Sequence, residues 1–229
     1  MKSHVRRLSW LTLFSIAMGF LEAAVVVYLR YLYYPGGFKF PLSLMPHDVV
    51  VTELLREFAT LIMLTGVAAL AGRTAHQRFA FFLIAFGVWD IFYYVFLKLL
   101  LGWPESLLTW DILFLLPVPW VGPVLAPCLV SLTMILLAGV VYYRDLQNST
   151  VGINLLEWLL LIGGSLVILL SWTWDYFVHL PGSALFSVEK SISFFSTYTP
   201  QSYNWWMFGL GELLLLSSAF IFFIRTRGR

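Results

Sequence analysis

Charge is scarce in this chain. Of 229 residues, 11% are Asp, Glu, Lys or Arg, against roughly 25% in a soluble domain. No hydrophilic block is large enough to fold by itself in water. The formal net charge of +2 is small and dispersed, which excludes a basic nucleic-acid surface. The single cysteine, Cys128, excludes an internal disulfide and a thiolate cluster for zinc or iron–sulfur; it reads as a small packing residue. Walker loop, H-E-x-x-H and G-x-S-x-G are all missing. Strand segments of alternating polarity, which a membrane barrel would need, are missing too. Nothing in the sequence names a cofactor or an oligomeric state.

What remains is apolar. Hydrophobic residues make up 60% of the chain, gathered into six runs near 10–32, 50–71, 79–101, 120–143, 153–174 and 203–224. Each approaches the roughly 20 residues that cross a bilayer as a helix, and helix is the state that satisfies the backbone there. The expected fold class is all-α: a polytopic integral membrane helical bundle forming one membrane domain over 1–229, with the lipid bilayer as its solvent. The first run follows Lys2, Arg6 and Arg7 but is too long for a signal peptide and shows no A-x-A site, so it reads as a retained helix. Between the third and fourth runs, "GWPESLLTWDILFLLPVPW" is too short to span before its prolines. A short interfacial or re-entrant helix near 106–116 is expected, closed by Pro117 and Pro119.

Orientation follows Lys and Arg. Nine fall on the side of the termini (Lys2, Arg6, Arg7, Arg73, Arg78, Arg144, Arg225, Arg227, Arg229) and five on the other (Arg30, Lys39, Arg56, Lys98, Lys190). Both termini are therefore expected in the cytoplasm, with a bacterial plasma membrane as the expected location. The loops 33–49 and 175–202 then lie outside. Phe38, Phe40, Leu42, Leu44, Phe186, Phe194 and Phe195 make these loops apolar enough to pack as a cap over the bundle.

The twelve acids are lopsided on this map. Asp145 is cytoplasmic and Glu157 lies near the inner end of the fifth run; the other ten fall at mid-membrane or outside. Glu22, Glu57, Asp90 and Glu212 lie within spans, one on each of four helices and at similar depth. A carboxylate facing lipid costs on the order of 2.5–3.5 kcal/mol, so all four are expected to point inward as acid, base or proton sites.

Helical spacing proposes companions. Asp90, Tyr94 and Lys98 form an i, i+4, i+8 stripe, as do Ser171, Asp175 and His179, and Asn204, Phe208 and Glu212. Arg56 and Lys98 are candidate counter-charges, and Trp89 a pocket wall. The candidate binding set is thus Tyr94, Lys98, Arg56, Trp89, Asp175 and His179. No His and carboxylate spacing fixes a metal site. Trp-Asp recurs at Trp89-Asp90, Trp110-Asp111 and Trp174-Asp175. Gly19 precedes Glu22 by one turn as Gly209 precedes Glu212, a spacing that would let a neighbouring helix approach each acid.

The expected function is an enzyme or binder for a lipophilic small molecule, with a carboxylate and aromatic site in the outer half of the bundle. A proton-coupled transporter would use the same acids. A membrane subunit of a larger complex would turn them to partner helices. Simple polar glue between helices competes with all three.

Overall fold

A computed structural model describes residues 2–115, 119–147, 152–182, 194 and 197–227. Six helices carry the fold: α1 (Lys2–Tyr33), α2 (His47–Ala71), α3 (Ala75–Leu101), α4 (Leu125–Gln147), α5 (Leu155–His179) and α6 (Trp205–Thr226). All six are long and apolar enough to cross a membrane. The protein is an all-α, multi-pass integral membrane bundle.

The helix ends follow local chemistry. Thr74 accepts from the Gln77 N–H to cap α3. Asn154 and Glu157 form a reciprocal capping box at α5, which satisfies two otherwise orphaned donors. Asn204 caps α6 through the Met207 N–H. Gly102, at φ 69°, ends α3 in the left-handed conformation that glycine adopts without penalty.

Helix α3 is the hub. It packs against α1, α2 and α4, while α1 and α2 touch each other only lightly; α4 also meets α6, and α5 pairs with α6. The α5–α6 crossing is built on glycine. A Cβ on Gly211 would sit 2.9 Å from the Gly164 carbonyl and 2.6 Å from Ile168, so a larger residue at Gly211 would force the pair apart.

The terminal end of the bundle is tied by satisfied buried acids. Asp145 accepts from Thr74 Oγ1 at 2.8 Å and from Gln77 Nε2 at 2.7 Å, joining α4 to α3. Glu157 receives two bonds of 2.8 Å from Arg225, joining α5 to α6. Both acids are structural.

At the opposite end, the segment expected as a short helix near 106–116 is instead the first arm of a hairpin. Strand β1 (Trp110–Phe114) pairs antiparallel with β2 (Trp120–Pro123). The fourth helix accordingly starts at Leu125 rather than near 120. Isolated strand is tolerated here because the hairpin is packed on protein: Val121 is buried and β2 lies against α5.

The described parts of two loops pack at this hairpin end. Phe38 and Phe40 stack edge to face, Leu42 is buried, and Phe40 and Phe194 pack on the cluster of Val121, Tyr176 and Tyr198. Leu44 is exposed. Phe186 and Phe195 lie outside the described residues.

Candidate functional site

The hairpin end holds a cavity of about 120 Å³ between α1, α2, α3, the hairpin and the α1–α2 loop. Each wall is one face of an element. Helix α1 supplies Glu22, Val26, Leu29 and Arg30 at helical spacing. Helix α2 supplies Glu53, Arg56 and Glu57, again on one face. Helix α3 gives Trp89, Asp90 and Tyr93; the hairpin arm gives residues 111–115; and the loop closes over with Tyr34, Phe38 and Met45.

Glycines bring the helices close enough. A Cβ on Gly19 would meet the Trp89 carbonyl at 2.8 Å, so only glycine lets α1 lie this near to α3. On the other side of α3, a Cβ on Gly87 would meet the Ser131 carbonyl at 2.7 Å. That approach places Ser131 Oγ 2.8 Å from Asp90 Oδ2, to which it donates.

Charges pair across the cavity. Arg56 binds Glu22 of α1 and, at 2.8 Å, Glu53 of its own helix. Thr60 donates to the second Glu22 oxygen at 3.3 Å. Both oxygens of Glu57 accept from the Leu115 backbone N–H, at 3.2 and 3.0 Å. Arg30 lies 3.5 Å from Asp111 and is sandwiched between two rings, 3.7 Å from the Trp103 centroid and 4.4 Å from Phe38. Such cation–π contacts contribute about 2 kcal/mol when desolvated. Tyr94 donates to Asp111 at 3.2 Å. Asp111 lies in the hairpin, outside the six spans. Burial pushes its carboxyl up to about 6, although Arg30, the Ile112 backbone and Tyr94 draw it down.

Of the sequence candidates, Glu22, Glu57, Asp90, Arg56 and Trp89 line this one cavity, and Tyr94 supports it through Asp111. The others lie elsewhere. Lys98 donates to the carbonyls of Gly102 and Pro104 at 3.0 and 2.8 Å, capping α3 rather than answering Asp90. Glu212 accepts from Thr133 at 2.7 Å in the α4–α6 contact and does not line the cavity. Asp175 is a loop anchor, accepting from Tyr198 Oη at 2.5 Å and from the backbone of Gln201 and Ser202. His179 is exposed, with Nδ1 2.7 Å from the Asp175 carbonyl oxygen. Gly209 has open space around it; Gly211 is the residue at the helix contact.

Sequence reasoning passed over Arg30, Asp111 and Glu53 as site residues. Glu22, Val26 and Arg30 repeat the i, i+4, i+8 stripe that singled out Asp90, and Asp111 belongs to the second Trp-Asp pair. Both signals were present in the sequence. Among the described residues, no three His, Cys, Asp or Glu side chains are grouped to hold a metal ion.

No known protein family, curated protein or solved structure matches this chain.

Proposed function

We propose that this membrane protein binds the polar end of a lipophilic small molecule at the hairpin end and acts on it by acid–base chemistry. One observation carries the reading: acids from three separate helices, Glu22, Glu57 and Asp90, line a single cavity. Simple glue between two helices needs no such convergence.

The roles divide by hydrogen bonding. Glu22 is held by Arg56 and Thr60 and serves as fixed charge. Asp90 receives one bond, to Oδ2 from Ser131, and its other oxygen takes none from the described residues. Asp90 is thus the acid or base, and Glu57, on a backbone donor, is its partner. Trp89 and Tyr93 wall the site with aromatic surface. The hairpin end faces out of the cell in this reading, since the Lys and Arg bias puts both termini inside.

The test is extraction of the protein in lipid nanodiscs, followed by mass spectrometry of what remains bound. The parent should retain a lipophilic molecule that Asp90→Asn and Glu57→Gln lose or leave unaltered. A parent that never carries one would refute the proposal. Proton uptake coupled to movement of a solute across vesicles would replace it with the transporter reading.

A further inference from the structure

The terminal end of the bundle carries positive charge that nothing in the protein answers. Among the described residues it holds two acids, Asp145 and Glu157. Both are buried and bonded inside, the first to Thr74 and Gln77 and the second to Arg225. Arg6, Arg73, Arg78 and Arg227 are exposed there, and none of them forms an ion pair among the described residues.

Two of these arginines share the turn between α2 and α3, which holds each at its base. Helix α2 ends where the Gly72 N–H donates to the Ala68 carbonyl at 2.9 Å. The Arg73 N–H donates to Gln77 Oε1 at 3.1 Å, and Gln77 is tied in turn to Asp145. Arg78 folds back over the turn, its Nε donating to the Gly72 carbonyl at 3.3 Å. A Cβ on Gly72 would stand 2.7 Å from Arg78 Cγ, so glycine makes room for that fold. Nε is thus spent inside the protein, while the two Nη nitrogens have no partner among the described residues. A fixed, exposed guanidinium fork with a second arginine on the same turn suits a phosphate, which offers several acceptor oxygens and negative charge.

The surroundings say where that phosphate comes from. The turn joins two helices of membrane-spanning length, so it stands at the level of the headgroups. The α2 face leading up to it is apolar and open: Ile62 and Met63 are exposed, and Leu70 is 89% exposed. Acyl chains cover such a face, and a soluble phosphate has no use for it.

We infer that the α2–α3 turn binds the phosphate of an anionic phospholipid, held between Arg73 and Arg78 with its acyl chains along α2. This site is separate from the cavity and does not depend on the reading above.

The test uses the whole chain in nanodiscs of phosphatidylcholine, alone or mixed in equal parts with phosphatidylglycerol. Melting temperature and native mass spectrometry of retained lipid are the readouts. Phosphatidylglycerol should raise the melting temperature and be retained in preference to phosphatidylcholine, whose choline cancels the phosphate charge. Arg73→Gln and Arg78→Gln change exposed side chains and should each weaken retention about five-fold, the contribution of one arginine near an anionic surface. Arg227→Gln lies on α6, which packs on α4 and α5, and should leave retention unchanged. No preference for phosphatidylglycerol overturns the inference, as does a preference that neither turn variant weakens. An equal loss in Arg227→Gln also overturns it, because diffuse charge would then attract the lipid. Equal stabilisation by glycerol phosphate, added to phosphatidylcholine nanodiscs, would make the ligand a soluble phosphate and overturn the lipid assignment.

Discussion

Ser131 Oγ on α4 donates to Asp90 Oδ2 on α3 across 2.8 Å. An asparagine carbonyl would accept the same bond and occupy nearly the same volume. Asp90→Asn should therefore melt close to the parent, since polar contacts between membrane helices average about 0.6 kcal/mol. It should nevertheless abolish turnover of the bound molecule, because an amide cannot carry the proton. Melting curves beside an assay of the co-purified molecule check this; full turnover would reduce Asp90 to a structural contact.

Arg56 joins α2 to α1 through Glu22, where the two helices otherwise touch little. Arg56→Met leaves Glu22 and Glu53 without their cation and should destabilise the protein by on the order of 2 kcal/mol. Adding Glu22→Gln should recover part of that loss, which a double-mutant cycle of denaturant unfolding would measure. Strictly additive effects would mean that the ion pair does not hold the helices.

Gly19→Ala places a methyl where the Trp89 carbonyl stands, at 2.8 Å. It should cost about 1–3 kcal/mol, in the range of overpacking, and weaken ligand retention by moving α1 off α3. Gly209→Ala, with open space around it, should be neutral or slightly stabilising. Equal effects at the two positions would contradict the close approach.

Asp111 holds its proton up to about pH 6, against an ordinary value of 3.8. Between these values the folded chain binds more protons at this group than the unfolded chain, so its contribution to stability falls as pH rises through that window. Asp111→Asn has no proton to lose. The difference in melting temperature, parent minus variant, should thus decrease from pH 4 to pH 7. A flat difference would mean that Asp111 stays ionised against Arg30 throughout.

The six spans were legible because hydropathy and length act on each helix separately, without regard to neighbours. Glu22, Glu57 and Asp90, read from their positions along three helices, line one cavity. Partners were harder to read. Asp90, Tyr94 and Lys98 share one stripe of α3, yet they bond to Ser131, Asp111 and the carbonyls past Leu101. Side chains on one face meet whatever packs there, and spacing alone does not say what that is. The role of Lys98 was nevertheless readable, since Gly102 marks a helix end and a lysine in the last turn suits its free carbonyls. The hairpin was not readable: a short apolar run with aromatic residues fits a buried strand and a buried helix equally well.

Among the described residues, Glu57 is held by main chain, not by another side chain: both of its oxygens share the Leu115 N–H. Every residue but one carries that N–H. Position 115 can therefore drift among apolar types, and the anchor of the acid would go with it unchanged. Only proline would silence it. A saturation library at this codon should show a single deep gap, at proline, in a landscape otherwise shaped by bulk and greasiness.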